Sequence, residues 1–377
     1  GVYATKTAGF NINKGSAKIN SYLNYQFTSR NNFEELNSDR IIRRDSSLFA
    51  QKSYTTYPTT NNYLNGGIDV QFTPKFNVGY DLRMSYTNGK SYAVNAIDIN
   101  KIPFPALVGK NRSDIDNINK TTFIGNNISG KYKIDTLGSE WTAQLDYNYY
   151  RYRNNQMYIN SNYLPASPAV SGDGVNSNTK NIFLFQTDLT LKFYKSLTLE
   201  AGFKATISNS ENSSNYNKDT GNNIRFVDAF QTNTFQYREK IIAAYLQVSK
   251  TIAGFTIKPG LRLETTDING RQLIPKDTTL SLNRTDVFPF IFIKHKLFKM
   301  FGFPLIGNAI FRKSIKRPYY KVLNPYPKYI DQYLFDVGNP RLKPQFTTNY
   351  EINVTFDNIP VIALGINNTK DIFSNVT

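Results

Sequence analysis

Residues 183–207 read FLFQTDLTLKFYKSLTLEAGFKATI, and their alternation decides the fold. Phe183, Phe185, Leu189, Leu191 and Phe193 fall on one side of an extended chain, and Gln186, Asp188, Thr190 and Lys192 on the other. Successive side chains of a strand point to opposite faces, so this period of two predicts one apolar and one polar face. After Tyr194-Lys195-Ser196 the pattern resumes, with Leu199, Ala201, Phe203, Ala205 and Ile207 set against Thr198, Glu200, Lys204 and Thr206. Two such runs around a short polar turn predict a β-hairpin. The unit recurs at Ile68 to Phe72, a Thr73-Pro74-Lys75 turn and Phe76 to Tyr86. It recurs again from Ile242 through Ala253-Gly254 to Leu263.

Read along the whole chain, the pattern predicts about fourteen strands in seven hairpins. Their spans are 6–13 and 16–28, 63–73 and 76–87, 121–133 and 140–153, 181–193 and 197–208. The remaining spans are 239–252 and 255–266, 287–297 and 305–314, 345–356 and 360–371. Connections within hairpins are short. Those between hairpins are expected to be loops of roughly twenty to thirty-five residues, rich in the Asn, Ser, Asp, Gly and Pro that favour turns. Regular alternation of short and long connections is the pattern of a transmembrane barrel with short periplasmic turns and long extracellular loops. Lipid offers no hydrogen-bond partners, so the apolar face is expected to look outward and the polar face to line the lumen. Aromatic residues support this in two bands: Phe72, Phe76, Trp141, Phe193, Tyr194, Phe255 and Phe356 near the short turns, then Phe27, Tyr86, Tyr149 and Tyr237 further along. Such bands sit at headgroup level.

Composition excludes several other classes. The chain has 377 residues, no Cys and one His, so thiolate zinc sites, disulfide scaffolds and His-based triads have no material. Mean hydropathy is −0.45. Longest apolar runs such as Ile359 to Ile366 fall far short of the roughly 18 residues that cross a bilayer as a helix. Hydrophobic residues still make up 40%, too many for a disordered chain.

Parity speaks to the chain ends. With short turns periplasmic, the first strand runs inward and the last runs outward, whereas a bacterial barrel has an even strand number and both termini in the periplasm. The reading is therefore a segment, residues 1–377, from the middle of a longer barrel polypeptide. Signal peptide, plug domain and terminal strands would lie outside it; the alternative is a fourteen-strand barrel with unusual ends.

One stretch is more specific. Residues 311–350 read FRKSIKRPYYKVLNPYPKYIDQYLFDVGNPRLKPQFTTNY. Within it stand Arg317-Pro318-Tyr319-Tyr320, Leu323-Asn324-Pro325 and Gly338-Asn339-Pro340-Arg341-Leu342-Lys343-Pro344. Pro fixes φ and removes a donor while Gly permits φ > 0, so these residues predict an ordered loop at the rim or in the lumen, with Pro344 opening the next strand. The stretch resembles the outer-membrane β-barrel domain of TonB-dependent-receptor-like proteins of Bacteroidota. The opening strand at Gly9-Phe10 with its Lys14-Gly15 turn, Gly260 to Glu264 and Phe288-Pro289 fit the same group. The resemblance implies a large barrel of about 22 strands with a plugged lumen. It also implies an N-terminal plug domain and a segment that contacts a TonB-type energiser, and hence uptake of a specific solute; surface lipoproteins or other outer-membrane proteins are compatible partners for a transporter or a structural barrel.

No enzyme constellation appears, and no cofactor is expected. His295 reads as an interfacial or lumen-facing side chain. Glu34-Glu35 and Asp114/Asp116 fall in predicted loops, where solvated charge is the simpler reading than a hard cation site. No Gly-rich phosphate loop precedes a helix. Net charge of +17 raises nucleic-acid binding, but the cations scatter over turns, loops and the polar face, so that partner is not expected. The densest cluster, Arg40 to Arg44, is placed in an outer loop, where it would meet anionic lipopolysaccharide or an acidic ligand. Candidate lumen-facing residues are Arg83, Lys192, Lys204, Lys258, Arg262 and Glu264. They would hold an anionic solute, pair with Asp81, Asp188, Glu200 and Glu264 across the wall, or contact an acidic plug. Two functions follow: a transporter barrel taking up a specific solute, or a structural barrel holding partners in an outer-membrane complex.

Overall fold

The computed structural model describes residues 4–374, apart from 104–105, 195, 222–223, 301, 326–327, 332–333 and 357–358. One antiparallel sheet carries fourteen strands in sequence order. The first seven are β1 Thr5–Gly15, β2 Ile19–Ile42, β3 Ser47–Thr73, β4 Phe76–Lys101, β5 Ala106–Lys133, β6 Glu140–Leu164 and β7 Ala166–Phe193. The others are β8 Leu197–Asp219, β9 Asn233–Ile252, β10 Phe255–Ile274, β11 Thr278–Met300, β12 Phe303–Lys316, β13 Gln345–Phe356 and β14 Ile359–Lys370. A three-residue strand, Arg225–Val227, adds to the end of β8. Among the described residues the sheet is open: β1 and β14 each have a partner on one side only. No helix is long and apolar enough to cross a membrane, which says nothing of strands that do.

All seven predicted hairpins form. Alternation of exposure is seen in the inner strands, whereas β1 and β14, at the open edges, are exposed along nearly their whole length. On β4 the exposed side chains include Phe76, Tyr80, Met84 and Tyr86; on β10 they are Phe255, Ile257, Leu261 and Leu263. Ten steps from Phe76 to Tyr86 cover about 33 Å of strand, or about 25 Å at a 40° tilt, which is the height of a lipid-facing band. Polar atoms on this face find partners within it, as a lipid contact requires. Trp141 Nε1 donates to Thr187 Oγ1 at 2.7 Å, Tyr80 to Asn126 Oδ1 at 2.8 Å, and Tyr147 to Asn181 Oδ1 at 2.9 Å. At the short-turn end, Phe72 stacks on Phe76 and Phe255 on His295, whose ring centroids are 3.8 Å apart. Tyr237 departs from its predicted band. It is 5% exposed on the polar face, because odd-numbered residues of β9 face that way.

The long loops are the larger correction. Five of the six predicted ones are mostly strand, and four of the outer connections shrink to residues 43–46, 102–105, 165 and 275–277. β3 pairs with β2 from Ile19↔Val70 to Ile42↔Ser47 without a break. Arg40 lies in β2 and donates to Gln51 Oε1 at 3.1 Å, and Arg43 begins a single 3-10 turn. Glu34-Glu35 and Asp114/Asp116 are strand residues as well. Backbone pairing does not need apolar side chains. Above the band these strands are rich in Asn, Ser and Thr on both faces, which removes the hydropathy alternation but leaves the ladder intact. Two outer connections stay long, residues 220–232 and 317–344.

Candidate functional site

The connection from β12 to β13 turns back onto the polar face and is anchored there. Leu323 ends a short helical turn, Tyr320–Leu323, and is 4% exposed against Phe235, Tyr237 and Ile268; Leu280, Leu282 and Leu342 close the cluster. Burying one Leu side chain in such a site stabilises by about 2 kcal/mol, enough to hold a strap that backbone bonds alone would not. Those bonds are supplied too. Gly338 N–H donates to Asn324 O at 2.8 Å and Asn339 N–H to Val322 O at 2.7 Å, tying the return segment to the outgoing one. A β-carbon at Gly338 would stand 2.7 Å from the Val322 carbonyl and closer still to Asn324 O, so backbone fills the space of any side chain. Asn339 Oδ1 accepts from Arg341 N–H at 2.9 Å. Pro318 and Pro344 are buried at the two ends of the strap. Pro325, Pro340 and Lys343 lie between them, Lys343 exposed.

Arg317 joins this strap to the wall. Its guanidinium pairs with Glu264 on β10, and Nε donates to Thr266 Oγ1 at 3.2 Å. Arg262, two residues along the same strand, donates to the same carboxylate at 2.6 and 3.0 Å. Glu264, with 5% of its side chain exposed, thus sits between two guanidinium groups. Such burial of a carboxylate is tolerated because two guanidinium charges answer its own. Sequence reading placed Arg317 in a structural loop and Glu264 in the lumen wall; tertiary contact makes them one unit. Phe235 and Ile268 were missed, although strand parity alone puts both on the polar face.

Other candidates separate into paired and open cations. Lys258 forms an ion pair with Glu200 at 2.7 Å, and Gln247 donates to the same carboxylate. Lys204 stands in register between Gln186 and Ala243. Arg83 is exposed between Asn65 and Gly125. Neither makes an ion pair among the described residues. Lys192 lies over Gly138 in the short turn between β5 and β6, and its N–H donates to Ser139 Oγ at 2.8 Å. Asp81 and Asp188 instead accept from tyrosines. Tyr22 on β2 crosses Gly67 on β3 to reach Asp81 on β4, and Tyr245 on β9 crosses Gly202 on β8 to reach Asp188 on β7. The middle glycine is required in both. At Gly202 a β-carbon would lie 2.5 Å from Asp188 Oδ1 and from the Tyr245 ring.

Above the lipid band, several acidic residues have local partners. Glu34 accepts from Tyr57 at 2.9 Å. Asp114 accepts two bonds from Arg112, each 2.8 Å, and one from Tyr92. The Arg112 bonds hold its carboxyl below the usual range. Burial pushes the Tyr216 hydroxyl up to about 12. Among the described residues no group of three or more His, Cys, Asp or Glu side chains is placed to hold a metal.

A family model for the outer membrane protein beta-barrel family matches residues 132–377. Among solved structures, the ferripyoverdine receptor of the outer membrane of Pseudomonas aeruginosa is similar at a TM-score of 0.50 and 12% identity. That match covers 93% of this chain and 45% of the receptor, so the chain spans less than half the receptor's length. The beta domain of the Bordetella autotransporter BrkA is similar at a TM-score of 0.27 and 13% identity, over 78% of this chain and 92% of that one. No curated protein matches the chain. At such identities the structural likeness speaks of fold alone. With the family match spanning well over half the chain, and a lipid-facing band on one face of the sheet, this protein belongs to the outer membrane protein beta-barrel family and is an integral β-barrel protein of the outer membrane.

Proposed function

We propose that the chain forms the wall of a TonB-dependent-receptor-like transporter that takes up a specific solute. The observation that carries this reading is the strap of residues 317–344, folded onto the polar face and fixed there by Arg317 and Leu323. A strap held inside the wall narrows the path from the outside and creates a surface for recognition above the lipid band. Open cations at Lys204 and Arg83 on the same face favour an anionic solute; Lys192 stands nearer the periplasm. In this reading further strands pair with the free edges of β1 and β14 to close a barrel of about 22 strands, and a plug fills it. Uptake is passive or TonB-coupled, by binding and conformational release with no covalent step.

One observation favours a second reading, a structural barrel within a multiprotein outer-membrane complex. Ile224, Phe226, Val227 and Phe230 are 45–73% exposed on residues 220–232, well above the lipid band. Apolar side chains grouped in water mark protein contact surfaces, a surface lipoprotein among them. Cryo-EM of the full-length protein, purified gently from native outer membranes, separates the two. A plug inside a closed barrel, with solute density beside Lys204 or Arg83, supports uptake. A barrel without a plug, filled or capped by fixed partners on the Ile224 to Phe230 tip, overturns it in favour of the scaffold.

A further inference from the structure

Above the lipid band, the outer face of β2–β6 carries an apolar patch that neither reading uses. Phe33, Thr56, Tyr92, Asp116 and Met157 stand side by side in the ladder, and Tyr54 and Ile159 lie two residues further out. Strand parity puts them on the face that meets lipid lower down: Tyr92 shares it with Phe76 and Tyr86, and Met157 with Trp141. Phe33, Tyr54, Tyr92, Met157 and Ile159 are 38–61% exposed. The rings of Phe33 and Tyr54 are 5.9 Å apart, and the Tyr92 hydroxyl is tied to Asp114 at 2.9 Å. These five side chains expose roughly 500 Å², towards the upper end for the largest patch on a monomer.

Height excludes lipid as the cover. Tyr92 is six residues beyond Tyr86, which is about 20 Å of strand or about 15 Å along the membrane normal at a 40° tilt. The headgroup layer is only roughly 5–8 Å thick. Charge then selects the occupant. Lys90 and Asp116 flank Tyr92, and Lys52 and Glu35 flank Tyr54; all four are exposed and form no ion pair among the described residues. Arg112 and Asp114 beside them answer each other at 2.8 Å. In a chain of net charge +17, this face therefore offers two free cations and two free anions. A strongly charged partner would meet as much repulsion as attraction here. A second copy turned about a two-fold axis brings each cation to an anion, because an isologous contact sets residue i on j and j on i.

We propose that this face joins two copies of the chain side by side in the membrane. The two-fold axis runs along the membrane normal near Tyr92, which keeps both patches at one height and sets Lys90 of each copy against Asp116 of the other. The apolar patch with its charged rim approaches the roughly 800 Å² per partner of a stable interface. This inference rests on the membrane placement of the strands and not on the transport reading.

The chain has no Cys, so one introduced Cys reports on one position. In an otherwise cysteine-free full-length protein, oxidised in native outer membranes, Tyr92→Cys is expected to give a disulfide-linked product of twice the protein's mass. Ser281→Cys, exposed on the same face of the sheet but on distant β11, stays single. Lys90→Glu and Asp116→Lys each lower the yield about tenfold, and the two together restore it, since the swap re-forms both contacts with the signs exchanged. Heat-modifiable migration on gels verifies that each variant is folded. Native mass spectrometry of the unsubstituted protein in mild detergent keeps the test decisive if Tyr92→Cys is not, and two copies are expected. A single-copy mass, equal cross-linking from the two Cys positions, or a swap that fails to restore the yield overturns the proposal. So does a cross-link from Tyr92→Cys to a chain of any other mass, which would make this face the seat of a different protein.

Discussion

The lower and upper parts of a single strand obey different rules. On β4, residues Phe76 to Tyr86 alternate in both chemistry and exposure: Phe76, Tyr80, Met84 and Tyr86 look outward while Asp81 and Arg83 look inward. From Thr87 to Lys101 the same strand still alternates in exposure, with Ser91, Asn95 and Ile97 buried and Lys90, Tyr92 and Asp98 exposed, but its hydropathy no longer alternates. Lipid demands an apolar surface. Water demands only that backbone groups be paired, and the neighbouring strands do that. The lower part is therefore specified by side chains and the upper part by its ladder.

The largest test of this contrast places one charge in each region. Leu261→Arg, near the middle of the lipid band, is expected to cost about 2–4 kcal/mol. Ile118→Arg, exposed above the band, is expected to change stability by about 0.5 kcal/mol or less. Equilibrium unfolding in lipid vesicles, followed by Trp141 fluorescence, compares the two. Equal costs would mean that the band does not meet lipid.

A second test concerns the strap, an upper segment whose side chains do decide its structure. Leu323→Ala removes its apolar anchor and is expected to cost the strap about 2–3 kcal/mol. Limited proteolysis should then cut within 317–344 while the sheet stays intact. Gly338→Ala should give the same cleavage by a different route, because its β-carbon meets backbone on both segments. If both variants resist protease, the strap is held by something other than these contacts.

Tyr245→Phe is a smaller change. It keeps the ring over Gly202 but loses the hydrogen bond to Asp188, for an expected cost of about 1 kcal/mol. Gly202→Ala, which displaces the ring itself, should cost more. The reverse order would show that the hydroxyl, and not the ring packing, sets this crossing.

The smallest expected effects are on pH dependence above the band. Asp114 has a depressed folded-state value, so its contribution is complete above the ordinary carboxylate value of about 4 and is lost as pH falls through the folded value. Asp114→Asn should remove that part of the acid slope. Tyr216 behaves in the opposite sense. Its folded value of about 12 exceeds the ordinary 10, so its contribution is present below pH 10 and is lost between 10 and about 12. Phenolate absorbance should show Tyr216 titrating late, and Tyr216→Phe should remove that late component.

Period-two hydropathy by itself determined the hairpins, their short turns and which face meets lipid, because each depends on side-chain chemistry repeated along a local segment. Phe183 to Ile207 carries all of that information within 25 residues. The same reading placed Arg40, Glu34 and Asp114 in loops, since strands that face water on both sides carry no apolar signal. Only the tertiary structure decided that those strands extend. It alone joined Arg317 to Glu264 across 53 positions, set Leu323 on Phe235 and Ile268, and laid Tyr22 and Tyr245 across glycines. Those contacts depend on register between distant strands and on where a loop returns, and neither is written in the local periodicity of any one segment.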